Sequence, residues 1–200
     1  MEIRQEQPKD YKAVYHLVQQ AFSQAEHRDG NEQDLVEALR KSDAFIPALS
    51  MVAEEGKRIV GYILFTKATI ERQTVLALAP LAVLPGYQRR GIGLAMMAQG
   101  HETAARLGFV ASVVLGSPDY YSKAGYQPAS RWGIYPPFEV PDENFMALLL
   151  RKDASIAGGM MKYAKEFLID ERRKVKKPSK QTRSTAFCDR NRRMMSGDRP

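Results

Sequence analysis

The stretch Leu81-Ala82-Val83-Leu84-Pro85-Gly86-Tyr87-Gln88-Arg89-Arg90-Gly91-Ile92-Gly93 constrains this chain more than any other. It opens as an apolar strand, turns at Pro85-Gly86, and ends as a glycine-containing loop running into the helical pattern Leu94-Ala95-Met96-Met97-Ala98. A strand that feeds such a loop at a helix start builds an anion site. The first helical amides have no partner within the helix, and the macrodipole adds partial positive charge. Gly91 and Gly93 carry no side chain to hold a phosphate away from those amides, and Arg89 and Arg90 add attraction. A phosphorylated ligand is expected here.

The segments on either side give this loop a fold. Met1 to Glu6 alternates as a short strand. From Pro8, a helix start, apolar residues recur at helical spacing through Ala13, Val14, Leu17, Val18 and Phe22. Ser23 to Gly30 is polar; Asn31 is then expected to cap a helix from Glu32 to Lys41 that buries Leu35, Val36 and Leu39. Ser50–Glu54 and Arg58–Ile70 predict a hairpin around Glu55-Gly56-Lys57. Thr74–Leu84 reads as a third strand, in which Pro80 predicts a bulge or an edge because proline donates nothing to a ladder. A helix from Arg90 to Leu107 ends at Gly108, and Phe109–Leu115 reads as a strand buried on both faces.

Ser117-Pro118-Asp119 is a helix start for a short helix carrying Tyr120 and Tyr121 and ending at Gly125. Arg131 to Asn144 reads as an ordered loop pinned by Trp132, Tyr135 and Phe138; Phe145–Arg151 and Met160–Leu168 read as strands. This order predicts one α/β domain with a mixed central sheet flanked by helices, because the hairpin strands run consecutively.

Net charge would suggest nucleic acid until it is divided along the chain. Residues 1–170 hold 19 Lys+Arg against 20 Asp+Glu, a net of −1, while residues 171–200 hold 11 against 3, a net of +8. The basic balance belongs to the tail. A domain over 1–170 followed by a basic, disordered tail over 171–200 is therefore expected, with nucleic acid a partner only through that tail. The lone Cys188 forms no internal disulfide and fits a reducing cytoplasm. No run of 18 apolar residues and no signal-like apolar start are present, so no membrane association is expected. His16, His27 and His101 show no ligand spacing with Cys188, which gives no metal site.

Gln88-Arg89-Arg90-Gly91-Ile92-Gly93 resembles the Q/R-x-x-G-x-G/A acyl-CoA motif of the GNAT superfamily of N-acetyltransferases. Leu115-Gly116-Ser117-Pro118-Asp119-Tyr120-Tyr121-Ser122-Lys123-Ala124-Gly125-Tyr126 resembles the family's second landmark, a tyrosine four residues before a Gly-aromatic pair. Residues 26–40 and 132–150 are similar to the YhbS-like bacterial subgroup. The resemblance covers residues 1–168.

The resemblance implies a bulged strand that parts from its neighbour, with the arm of acetyl-CoA, the co-substrate, in the wedge. It implies the N–H of Leu81 facing the thioester, Ala82 and Val83 along the pantetheine, and Gln88, Arg89, Arg90, Gly91, Ile92 and Gly93 around the pyrophosphate. Tyr121 would be the general acid, while Tyr120, about 100° around the helix, would point elsewhere. The implied reaction is acetyl transfer to a primary amine by direct attack in a ternary complex, in a monomer or homodimer. Two positions depart from the pattern: Gly116-Ser117 stand where many members have asparagine, and Ala77 where histone-type members have a glutamate base. His27, Asp29 and Glu32 are then the candidates to take the amine's proton. These departures also motivate an alternative, an acyl-CoA-binding regulatory module with a nucleic-acid-binding tail.

Overall fold

The computed structural model describes residues 1–23, 30–151 and 153–167. His27, Asp29 and the tail 171–200 lie outside them. Strand β1 (Glu2–Gln5) leads through a 3-10 turn at Pro8–Asp10 into α1 (Tyr11–Phe22), followed by α2 (Glu32–Arg40). Strands β2 (Phe45–Glu55), β3 (Arg58–Ile70) and β4 (Gln73–Val83) then run consecutively. Helix α3 (Ile92–Arg106), β5 (Ala111–Leu115) and the short α4 (Pro118–Tyr121) come next. Strands β6 (Gln127–Pro128), β7 (Ile134–Tyr135), β8 (Phe145–Leu149) and β9 (Gly159–Lys162) complete the described chain.

The sheet runs β1-β2-β3-β4-β5-β8-β6, antiparallel except for β4 against β5. The mixed α/β expectation stands. Some boundaries move. Strand β2 begins at Phe45, and the strand expected over 160–168 shortens to Gly159–Lys162, which pairs with β3 and β7. The segment 131–144 holds β7 and two 3-10 turns; Trp132 and Phe138 pack inward as anticipated, but Tyr135 is 55% exposed. Asn31 sits at the N-cap of α2 without a side-chain cap bond, and α2 buries Gln33 with Val36 and Leu39, leaving Leu35 half-buried. No described helix is long and apolar enough to cross a membrane.

The helices cover opposite faces of the sheet. A β-carbon on Gly61 would stand 2.8 Å from Met96 Sδ and 3.2 Å from Ile92 Cγ2, and one on Gly100 would stand 2.4 Å from the Phe65 ring. Bare α-carbons on both partners therefore let α3 settle onto β3. The neighbouring Tyr62 points to the other face, as successive strand residues must. There its hydroxyl meets Ser50 Oγ (2.9 Å), which donates to Glu6 (2.6 Å), and Glu6 accepts both Nε and Nη2 of Arg40 at the end of α2. This buried cluster ties α2 to β1, β2 and β3.

Pro80 makes a bulge and no edge. Ile63 pairs with Leu81 and Phe65 with Leu78, so β4 carries one extra residue across Ala79-Pro80, where the peptide is cis. Beyond this point β4 loses its other neighbour. Pairing with β5 is confined to Leu76–Ser112 and Ala77–Val113. The bulge twists β4 away, and the two central strands splay.

Candidate active site

The splay exposes backbone of known direction. Leu84 N–H donates to Val60 O (3.0 Å), and Tyr62 pairs with Ala82, Gly61 with Val83 and Ile63 with Leu81. Hydrogen-bonded and open pairs alternate along an antiparallel ladder. Ala82 and Leu84 thus turn their N–H and C=O towards β3, whereas Leu81 and Val83 turn theirs into the gap left by β5. Gln88 Nε2 already donates to Val83 O at 3.0 Å. Leu81 and Val83 therefore turn their backbone polar groups into the gap, the Val83 carbonyl already holding Gln88, and Ala82, 2% exposed, belongs to the sheet and core.

At the end of β4, the 3-10 turn Pro85–Tyr87 leads to a loop with left-handed backbone at Arg89 (φ 60°) and Gly91 (φ 79°). A β-carbon at Gly91 would meet nothing, so the glycine serves the backbone turn and leaves the space above it open. The first bond of α3 is Ala95 N–H to Gly91 O (3.0 Å), so the amides of Ile92, Gly93 and Leu94 face outward without helical acceptors. Arg90 bends back to Glu55 (3.1 Å) and over the Tyr87 ring, leaving the backbone as the main feature of the loop.

Across the gap, at the end of β5, α4 supplies two phenols. The ring of Tyr121 sets its Cε2 edge against Gly116: a β-carbon there would stand 2.2 Å from Cε2. It meets Tyr120 and Tyr126 edge-on at 5.2 and 5.8 Å. Gly116, read from the sequence as a substituted asparagine, is thus the seat for this ring. An asparagine is nearby all the same: Asn144 Nδ2 donates to Gly116 O (3.0 Å), and Gly116 N–H donates to Asn144 O (2.9 Å). No signal within 111–125 pointed to Asn144, which lies outside that stretch.

Tyr120 corrects an expectation. Read as turned away from the loop, it instead brings its hydroxyl to 2.1 Å from where a β-carbon on Gly93 would be, with Leu81 Cδ2 3.5 Å from the same point. Adjacent helical residues do diverge, but the direction left to Tyr120 is towards α3. The space freed by Gly93 is filled by this phenol and does not stand open for phosphate. Burial raises the pKa of both tyrosines, and Tyr120 raises that of Tyr121 further, so both stay protonated at neutral pH.

Glu32 accepts the Gly30 amide at 3.2 Å, and Ala77 is buried between Thr66 and Val113 with no carboxylate in its place. His101 is a core residue: its Nε2 meets Tyr126 Oη at 2.9 Å, and Ser112 Oγ meets the same oxygen at 2.8 Å. Among the described residues no group of three His, Cys, Asp or Glu side chains could hold a metal ion. A separate open cleft of about 540 Å³ lies between α1 and the sheet end, walled by Arg4, Asp10, His16, Glu54 and Arg58; Arg4 is spent on Asp10 and Glu54.

Comparison with known proteins follows the same lines. The family model described as "Acetyltransferase (GNAT) family" matches residues 11–126. The chain is 37% identical over 118 residues to the uncharacterized N-acetyltransferase YjhQ of Escherichia coli K12, covering 56% of this chain and 65% of that protein. The fold superposes on the YhbS N-acetyltransferase of Escherichia coli in complex with CoA (TM-score 0.76, 25% identity, 84% of this chain and 91% of that one). It also superposes on a GNAT acetyltransferase of Brucella melitensis in complex with acetyl-CoA (TM-score 0.70, 27% identity, 83% and 97%). A splayed central strand pair, a helix start with open amides and this agreement over most of the domain converge: the chain belongs to the GNAT family of acetyltransferases.

Proposed function

We propose that this protein moves an acetyl group from acetyl-CoA to a primary amine by direct attack within a ternary complex. The observation that carries the reading is the gap between β4 and β5, lined by the outward N–H and C=O of Leu81 and Val83, with the open amides of α3 after β4 and Tyr121 after β5. CoA and acetyl-CoA in the two similar structures support it.

In this reading the pyrophosphate lies on the loop from Gln88 to Gly93, bound by the amides around Gly91, Ile92 and Gly93. Arg89 and Arg90 contribute long-range attraction. The pantetheine arm pairs with Val83 beside Ala82, and the Leu81 N–H polarises the thioester carbonyl. A fixed amide aimed at a developing oxyanion contributes about 3 kcal/mol to a barrier. The amine nitrogen attacks the carbonyl carbon, the tetrahedral oxyanion collapses, and the C–S bond breaks. Tyr121 gives its proton to the departing thiolate, a role suited to a phenol that stays protonated at neutral pH. No carboxylate takes Ala77's place as base, so the amine's proton leaves by water or by a group of the 24–32 segment. A cytoplasmic location, and nucleic-acid contact only through the basic tail, belong to the same reading.

The test is a melt of the full chain with and without acetyl-CoA, followed by a thiol-release screen over small amines, amino acids and peptides. A rise in melting temperature with acetyl-CoA and CoA release with at least one amine are expected. No shift at ligand concentrations far above micromolar would sink the reading.

A further inference from the structure

Tyr120 joins the two halves of the proposed cofactor site from outside both. Its hydroxyl, the Gly93 α-carbon in the first turn of α3, and the Leu81 side chain on β4 meet at one point. The phenol is half-buried, yet its hydroxyl makes no hydrogen bond among the described residues, unlike that of Tyr126. Packing alone does not call for that oxygen. A phenyl ring would fill the same cleft without a half-desolvated polar atom, and Gly93 would not have to be bare, since the ring carbon Cζ stands 3.4 Å from the same β-carbon position, an ordinary contact. The oxygen is instead accommodated at some expense, beside the amides of Ile92, Gly93 and Leu94 that have no acceptor of their own. The first turn of α3 thus holds three amides without helical acceptors and, against its Gly93, one O–H without a partner among the described residues. Burial keeps that phenol protonated.

We infer that Tyr120 is an acyl-CoA-binding residue whose hydroxyl donates to the pyrophosphate held at the start of α3, and that position 93 is glycine to leave that hydroxyl its place. This rests on the acetyl-CoA reading above. It divides the two phenols of α4: Tyr120 binds the diphosphate, and Tyr121, edge-on to it at 5.2 Å, faces the reacting end. Cofactor binding would then also fix the ring against which Tyr121 packs.

The experiment is calorimetric titration of the full chain and of Tyr120→Phe with two probes: CoA, and pantetheine, which has the thiol arm but no pyrophosphate. Loss of a hydrogen bond to a charged group predicts CoA affinity lower by roughly tenfold to a hundredfold in the variant. Pantetheine affinity should stay within about twofold of wild type, and the ligand-free melting temperature should be unchanged. CoA affinity within twofold of wild type overturns the inference, and so does a parallel loss for both probes, which would make Tyr120 a support of the arm or of the fold. Failure of the wild type to bind CoA overturns the acetyl-CoA reading itself, a different result. Should Tyr120→Phe not fold, Gly93→Ala displaces the hydroxyl without deleting it and should weaken CoA but not pantetheine; equal effects on both overturn the inference.

Discussion

The phenol oxygen of Tyr120 occupies the place of a side chain on Gly93, 2.1 Å from where a β-carbon would be. The two residues are on different helices and 27 positions apart, yet Gly93 cannot gain a side chain while the phenol oxygen stands there.

Gly93→Ala should destabilise the wild type by about 1–3 kcal/mol, the cost of an overpacked contact. In the Tyr120→Phe background the closest remaining ring atom is 3.4 Å away, and alanine is the better helix former, so the same change should be neutral or stabilising by about 0.5 kcal/mol. Chemical denaturation of the four proteins measures the reversal. Equal destabilisation in both backgrounds would refute the contact.

Gly116→Ala should displace the Tyr121 ring, since the new carbon would fall 2.2 Å from Cε2 and 2.8 Å from Cδ2. We expect a stability loss of about 1–3 kcal/mol and turnover lowered more than acetyl-CoA affinity, read by steady-state kinetics with an acceptor from the screen. Unchanged turnover would separate the seat of the ring from the chemistry.

Tyr121→Phe should lower kcat on the order of a hundredfold with little change in KM for acetyl-CoA, the pattern of a group acting only in the transition state. The raised pKa adds a pH prediction. Because the folded phenol ionises above its ordinary value near 10, no alkaline loss of kcat below about pH 10 should trace to it. A limb near pH 9 that vanishes in Tyr121→Phe would contradict this.

Burial lowers the His101 pKa from 6.5 to about 4. Above pH 6.5 the ring is neutral in folded and unfolded chains, and its contribution is complete. Between 6.5 and 4 the unfolded chain binds the proton and the fold does not, so stability falls as pH falls, by about 3 kcal/mol in all, and levels off below 4. Urea unfolding from pH 7 to 4 should show that slope, and His101→Gln should flatten it whatever its effect at pH 7. An unchanged slope would remove His101 as its source.

Much of the candidate site was legible in residues 81–93 because strand, turn and helix start depend on neighbours in the chain. Pro80 announced a bulge through its missing donor, and the register of β3 against β4 then dictated that Leu81 and Val83 face the gap. The neighbour that Tyr120 finds is hidden from the sequence for an equally physical reason. Helical geometry separates adjacent side chains by 100° but does not say which neighbour each will find. At the end of β5 Gly116 is a seat for a ring, and the asparagine that bonds to its backbone comes from position 144, far along the chain.

The sequence by itself determined the order of the elements, the glycine-containing loop at the start of α3, and a near-neutral domain followed by basic residues, all consequences of local propensity, periodicity and charge. Only the tertiary structure decided which tyrosine meets Gly93, what Gly116 makes room for, and that Asn144 holds the end of β5. The first and last are contacts across 27 and 28 residues, set by how α4 and the β8 approach pack against α3 and β5. The second, though only five residues long, depends on which way α4 turns Tyr121; local pattern carries no record of that packing.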